Sequence, residues 1–339
     1  MLKIALHGSK DTFFEEWKEY CEINKIPYKT VNCYDNDIVS QLEDCDALFW
    51  HHNHADPRDT IFAKQLLTSL ELKGLQVFPN YLTGWHFDDK LGQKYLFESL
   101  KIPHVATFGF VEKKAALQWA SSTTFPKVFK LRRGAGSRNV WLVNTQQEAV
   151  KTINKAFGSG FRQYDVWGGI KENVRKFRLG TGKSIEILKS IAHIYVPLQL
   201  EKSQGRERGY AYFQDFIPAN NFDIRVIVIG SKAFAIKRHV RKNDFRASGS
   251  GFIEYEKKHF DDSLIQKSFE NAEKIKSQCA AFDYVFLNGE PLVVEVSYGF
   301  NKKGYRDCPG YWTDDLQWHE GKFNPYGWMI EDVLTEFPK

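Results

Sequence analysis

The stretch Phe282–Ser297, FDYVFLNGEPLVVEVS, consists of two apolar runs separated by Asn288-Gly289-Glu290. An Asn-Gly pair between apolar segments signals a β-hairpin, because both residues tolerate the positive φ of a tight turn. With a three-residue loop over 288–290, Leu287 pairs with Pro291, and counting outward places Asp283 opposite Glu295, with Ser297 on the same face. Opposed side chains on neighbouring strands have Cβ atoms roughly 4.5 to 5.5 Å apart, where two carboxylates repel unless something neutralises them. A divalent cation that prefers hard oxygen ligands is the simplest remedy, and Mg2+ is commonly held by one or two carboxylates plus phosphate oxygens. The plainer alternative is a pair of strand-edge charges in water. Against it stand the near-continuous apolar runs around both residues, since an unpartnered buried carboxylate is costly.

Upstream, YFQDFIPANNFDIRVIVIG (212–230) and KAFAIKRHVRKNDFRASGSGF (232–252) carry further strands. Gln214–Ile217 reads as a short strand ending at Pro218, and Asp223 and Arg225 open a strand over Val226–Ile229. Gly230-Ser231-Lys232 is the turn into Ala233–Lys237. The basic stretch Lys237–Arg246 is either a solvated face or an anion-binding wall.

Earlier still, FPKVFK (125–130) and VWLV (140–143) flank LRRGAGSRN. A dinucleotide fingerprint needs its glycines to open a helix, whereas Gly134 and Gly136 lead into a strand. Gly182-Lys183-Ser184 fails as a Walker loop, because Phe177 stands where the first glycine belongs. What remains is a glycine hairpin loop beside Lys130, Arg132 and Arg133. Its backbone N–H groups are suited to close over a polyphosphate, and an ordinary hairpin with solvated arginines fits equally well.

Over the first 85 residues, strand and helix signals alternate: Leu2–Leu6, Phe13–Asn24, Tyr28–Val31, Ala47–Trp50, Ile61–Leu72 and Val77–Phe78. Such alternation means a mostly parallel α/β sheet, with ligands expected beyond the carboxyl ends of its strands, at His7-Gly8-Ser9, His51–His54 and Asn80-Tyr81. The run HHNH is expected to line that crevice, because adjacent histidines on extended backbone point apart and rarely converge on one metal.

The 339 residues carry 47 Lys+Arg and 42 Asp+Glu, a net of +5, with 42% hydrophobic and 15% aromatic residues. That composition excludes long disorder, and the surplus charge is too dilute to imply nucleic-acid binding. No apolar run approaches the length of a membrane span. Met1–His7 reads directly as a strand with no leader ahead of it, and five scattered cysteines form no C-x-x-C pair, so a reducing cytoplasm fits.

The ordered set Asp89-Lys90, FPKVFK with its glycine loop, QDFIP, FDIRV, NDFR and the DYV…VVEVS hairpin resembles the ATP-grasp superfamily, most closely the RimK-like glutamate ligases. The resemblance implies an α/β protein with α+β lobes: an N-terminal pre-grasp parallel α/β domain over 1–85, an ATP-grasp N-lobe over 86–212 and a C-lobe over 213–339. It implies that Lys90 and Lys130 hold the ATP phosphates, that Gly134, Ala135, Gly136 and Ser137 fold over them, and that Gln214, Asp215, Phe216 and Ile217 form the adenine hinge. Asp223 falls near the ribose, and Arg241 takes the place of a phosphate-facing cation. Asp283 and Glu295 match the magnesium-binding acids, with two ions expected. Ser297 stands where the family has asparagine, which weakens the second ion.

The chemistry so implied is ligation of a carboxylate to an amine through an acyl phosphate, with Arg246 as donor to the developing charge and Arg225 in support. For Arg225 a structural ion pair with Asp223 or Asp215 is an almost equal alternative. A phosphotransferase, or a nucleotide-binding protein without turnover, are the rival classes. The expected partners are a small-molecule carboxylate and an amine, with an anionic or sugar-linked carrier and a homo-oligomer compatible with the sequence. Relative to the family pattern, an insertion around Gly158–Arg208 holds ten basic and five acidic residues, a net of +5. The aromatic tail Tyr298–Trp328 suits either a flat or amphipathic ligand or a C-terminal wrap anchored by its rings.

Overall fold

The computed structural model describes residues 2–54, 56–134, 139–163, 169–170, 173–174, 177, 183–195, 205–241, 244–247, 249 and 251–335. They divide into two compact units, 1–104 with 219–339, and 105–218.

The first unit opens with β1 (Ile4–His7), α1 (Phe14–Ile23), β2 (Tyr28–Val31), α2 (Ile38–Gln41), β3 (Ala47–Phe49), α3 (Pro57–Leu72), β4 (Gln76–Phe78), α4 (Tyr81–Gly84) and α5 (Lys90–Ser99). The four strands form an all-parallel sheet in the order β2-β1-β3-β4, as the alternating pattern requires. The central strands are buried on both faces. Ile4, Leu6 and Phe49 enter one core, while Ala5 and Leu48 enter another with Leu67 and Leu70 of α3, which is why these strands are apolar throughout. Three of the helices are started by a side-chain cap: Asp56 accepts from the Arg58 N–H ahead of α3, Asn80 from Thr83 ahead of α4 and Asp89 from Gly92 ahead of α5.

The second unit holds β5 (Thr107–Phe110), α6 (Lys113–Ser122), β6 (Lys127–Lys130), β7 (Val140–Val143), α7 (Gln146–Phe157), α8 (Ser184–Tyr195) and β8 (Ala211–Asp215). Its sheet is antiparallel, β5-β8-β6-β7, and its core sets Phe129 and Phe213 with Ala116, Ala120, Ala149 and Ile153 of α6 and α7. The strand expected over Gln214–Ile217 runs instead over 211–215. Its register is set by Phe213, which is buried opposite Phe129, while Phe216 and Ile217 lie beyond the ladder.

The chain then returns to the first unit with β9 (Phe222–Ile229), β10 (Lys232–His239), β11 (Ile253–Glu254), α9 (Asp262–Ile275), β12 (Cys279–Leu287), β13 (Glu290–Ser297), β14 (Gly310–Thr313), β15 (Trp318–Glu320) and α10 (Pro325–Thr335). These strands make an antiparallel sheet, β13-β12-β9-β10-β14-β15, with β11 on β10. Side chains alternate between two cores. Val226, Val228, Ala280 and Phe282 pack on Leu264, Ile265 and Ile275 of α9. Ile227, Ile229, Phe234 and Ala281 share a core with Ile4, Leu6 and Phe78 of the N-terminal sheet. The tail aromatics Tyr298, Phe300, Tyr305 and Trp328 are buried in that same core, with Phe323 stacked on Trp328, so these rings act as anchors.

Candidate functional site

The decisive hairpin closes differently from the sequence expectation. The loop has two residues, Asn288 and Gly289, at φ 53° and 86°, and Leu287 pairs with Glu290 rather than with Pro291. That count alone would set Asp283 against Val294. A β-bulge between Asp283 and Tyr284 restores the pairing: Tyr284 faces Val293 and Asp283 faces Glu295. The extra residue re-aims the end of β13, which is a common use of bulges beside functional sites.

Asp283 is buried, yet not unpartnered. The Arg225 guanidinium donates to it twice, from Nε at 2.5 Å and from Nη2 at 2.6 Å. Arg238 Nη2 lies 3.0 Å from the same carboxylate, and Arg238 also donates from Nε and Nη2 to Asp223 at 2.6 and 2.7 Å. The cross-strand register explains the cluster, because Arg225 pairs with Asp283 and Asp223 with Arg238 across adjacent ladders of one sheet. Burial by itself would raise the Asp283 pKa, but Arg225 and Arg238 overcome it and hold the carboxyl at about 2. The sequence points to Asp223 or Asp215 as a structural partner for Arg225, whereas its partner in the fold is Asp283.

Glu295 faces Lys90, whose ammonium lies 3.4 Å from it. Lys90 occupies the first position of α5 and is 4% exposed. A cation at a helix N-terminus opposes the helix dipole, so a specific anion must hold it there. Burial lowers the Lys90 pKa, and Glu295 and Asp88 outweigh burial and raise it, so the side chain stays charged. Gln93, one turn further along α5, ties this helix to the strand that carries Glu295: it donates to the Val296 carbonyl at 2.8 Å and accepts from the Val296 N–H at 3.3 Å. Ser297 lies on the face of Asp283 and Glu295, with its hydroxyl donating to the Gly299 carbonyl and accepting from the Gly299 N–H.

In the second unit, Lys130 is buried and donates to Gln214 at 2.5 Å, and Lys127 pairs with Asp215 at 2.5 Å. Lys130 pairs with Val140 across the hairpin, and the Leu131 N–H donates to Asn139, so the glycine loop springs from a closed stem. Tyr210 fixes that stem by accepting from the Arg132 N–H at 2.6 Å. Gly134 has φ 124°, a conformation that side-chain-bearing residues rarely adopt, while Ala135, Gly136 and Ser137 lie outside the described residues.

Arg246 is bound by Asp244 through Nε at 2.9 Å and Nη2 at 2.8 Å, and Arg241 donates to the Gly249 carbonyl. At the strand ends of the parallel sheet, His51 stacks on Phe13 with centroids 3.7 Å apart and accepts the Phe13 N–H on Nδ1. Burial lowers the pKa of His51 and His52 to about 3, so both are neutral packing groups at pH 7. Among the described residues, no group of three or more His, Cys, Asp or Glu side chains is placed to hold a metal.

Two residues of this site were missed in the sequence. Arg238 lay within a basic run with nothing to separate it from Lys237 or Arg241, and only the β9–β10 register singles it out. Gln93 carries no motif at all; its spacing of three from Lys90 on a helix is the only hint.

The donor types fit a magnesium nucleotide. Asp283 and Glu295 supply hard oxygens on one face, and the guanidinium and ammonium groups beside them already sit where positive charge is wanted. No family model and no curated protein matches the chain. Among solved structures, it is similar to the D-alanine-D-alanine ligase of Bacillus anthracis, at 13% identity and TM-score 0.55, covering 99% of this chain and 97% of that one. A RimK domain ATP-grasp protein from Sphaerobacter thermophilus matches at 15% and TM-score 0.56, covering 98% and 99% of the two chains. The N5-carboxyaminoimidazole ribonucleotide synthetase of Thermotoga maritima matches at 12% and TM-score 0.60, covering 98% of this chain and 76% of that one. The chain thus has the ATP-grasp fold over nearly its whole length, as the ordered motifs implied. Among the described residues no helix is long and apolar enough to cross a membrane.

Proposed function

We propose that this protein is an ATP- and magnesium-dependent ligase that activates a carboxylate as an acyl phosphate and joins it to an amine. The observation that carries the proposal is the charge set at one end of a sheet face: three carboxylates, Asp223, Asp283 and Glu295, interleaved with three cations, Arg225, Arg238 and Lys90. Oxygen donors for a hard cation and cationic donors for phosphate stand side by side, which phosphoryl transfer to a carboxylate demands. The likeness in fold to proteins named as ligases and a synthetase supports the class.

In this proposal Asp283 and Glu295 hold the magnesium, with Ser297 at the third position. Lys90 and Lys130 carry charge to the phosphates, Gly134 to Ser137 cover them, and Gln214, Asp215, Phe216 and Ile217 receive the base. Asp223 acts through Arg238, whose guanidinium it orients. Bound magnesium ATP supplies the transferable γ-phosphoryl group. Arg246, released from Asp244, and Arg225 donate to the oxygens on which negative charge develops.

A screen of ADP release over carboxylates, with and without amines, tests the reaction. ADP and free phosphate formed only with both substrates are expected. A phosphorylated product in place of free phosphate would assign a phosphotransferase. Glu295→Gln is expected to cut magnesium-dependent ADP release by at least about a hundredfold while the folded circular dichroism spectrum is retained. Near-normal ADP release by that variant refutes the metal assignment.

A further inference from the structure

The carboxylate best placed for a cation is also the one most fully engaged. Asp283 Oδ1 accepts from Arg225 Nε at 2.5 Å and lies 3.0 Å from Arg238 Nη2, while Oδ2 accepts from Arg225 Nη2 at 2.6 Å. A fork of this kind covers both oxygens, and Mg2+ at about 2.0 to 2.1 Å competes for the same positions. The two arginines differ in how they are held. Arg238 is clamped through two nitrogens by Asp223 and reaches Asp283 with one, and its side chain is 7% exposed. Arg225 gives its fork to Asp283, with the buried Tyr305 beside it, and its side chain is 17% exposed. If Asp283 turns to another cation, Arg238 keeps a bidentate partner, and Arg225 surrenders its own.

Charge counting sets the condition for that exchange. Asp223 and Asp283 balance Arg225 and Arg238, so this buried group of four is neutral as it stands. A divalent ion entering alone leaves an excess of two positive charges among largely buried groups, which is strongly unfavourable. An ion that arrives with a phosphate does not, because the displaced guanidinium finds a second forked anion.

We propose that Arg225 is the exchangeable counter-ion of the cation site: it occupies Asp283 while no nucleotide is bound, and yields that carboxylate to the divalent cation when a phosphate takes over its guanidinium. The proposal rests on the magnesium nucleotide assignment above and adds that cation and phosphate enter as a coupled pair. Arg225 is then a positioning residue for the metal as well as a donor to substrate.

The test is Mn2+ binding, read from the EPR signal of free Mn2+, with and without ADP and with complexation by ADP in buffer subtracted. Wild-type protein is expected to bind Mn2+ at least about tenfold more tightly with ADP present. Arg225→Gln is expected to raise the nucleotide-free affinity by about tenfold or more and to shrink the dependence on ADP. Arg225→Lys, which keeps the charge and loses the fork, is measured alongside in case the Gln variant does not fold, and its nucleotide-free affinity is expected to rise by at least about threefold. If Mn2+ binds with ADP but the folded variants match wild type without it, the exchange is overturned. If no Mn2+ binds even with ADP, the magnesium nucleotide assignment itself falls.

Discussion

Asp283→Leu removes the central anion of a buried ionic chain, and its cost follows from what is left behind. Arg225 and Arg238, with side chains 17% and 7% exposed, would then face the single carboxylate of Asp223. Breaking a buried ion pair on one side costs about 3 to 5 kcal/mol, because the surviving charge is desolvated and unpaired. The unit concerned comprises residues 1–104 and 219–339, and for a unit of that size each kcal/mol moves the melting temperature by about 2 to 4 °C, so a fall of roughly 10 °C is expected. Arg225→Met should cost a comparable amount, and the double variant less than the sum of the two by more than about 2 kcal/mol, since both members of the pair are then apolar. The acid limb offers an internal check. Asp283 binds its proton at about 2 in the folded chain, below its ordinary 3.8, so the unfolded chain takes up more protons between these values and stability falls as pH falls through them. The linked stabilisation is about 2 kcal/mol above pH 4, and the gap between wild type and Asp283→Leu should narrow by that amount on going to pH 2. Urea and thermal melts followed by circular dichroism measure both. A single-variant cost below about 1 kcal/mol, or strictly additive single and double variants, would refute the claim that this chain of charges is one coupled structure.

Three further outcomes are expected. Gln93→Leu strips the Val296 N–H and carbonyl of their partners and should cost about 1 to 3 kcal/mol while lowering magnesium-dependent ADP release, because Glu295 is the preceding residue; unchanged turnover would mean that α5 does not position the strand. Burial lowers the pKa of His7, His52 and His86 to about 4, 3 and 4, so the unfolded chain binds more protons below pH 6.5. Each should remove about 2 kcal/mol of stability by pH 5, and His86→Phe, in which neither ring nitrogen is left to protonate, should flatten the pH dependence of melting between pH 4 and 6. Arg246→Ala should reduce turnover by about a hundredfold with ATP affinity within about threefold of wild type; an equal loss of ATP binding, by calorimetry, would make it a nucleotide contact only.

The hairpin that opened the sequence reading shows where local information stops. Asn288 and Gly289 dictate a tight turn whatever surrounds them, since positive φ is a property of those two residues. The turn is one residue shorter than the three-residue loop the sequence predicts, and a one-residue bulge offsets the difference, so Asp283 and Glu295 are opposite for a reason that counting does not contain. Nothing in LVVEV distinguishes the bulged residue from its neighbours, because a bulge reflects packing against the adjacent strand and helix. The stem of the glycine loop, closed by Lys130 and Val140, is legible in the sequence, because the hydrophobic pattern of FPKVFK and VWLV is local. The strand containing Gln214 was displaced, because its ends are set by partners far away in the chain.

Periodicity and turn chemistry along the chain determined the element types, the parallel N-terminal sheet and the ordered motifs of the ATP-grasp fold, since each depends on neighbours within a few residues, whereas the bulge that sets Asp283 opposite Glu295 belongs to the packed sheet. Tertiary structure alone decided which cations answer those carboxylates. Arg225 lies 58 residues from Asp283 and Lys90 lies on a separate helix, and only the antiparallel registers of β9, β10 and β12, together with the docking of α5 on β13, bring them within hydrogen-bonding or ion-pair distance. Charge pairing in a buried face is a matter of ångströms, and sequence separation carries no record of them.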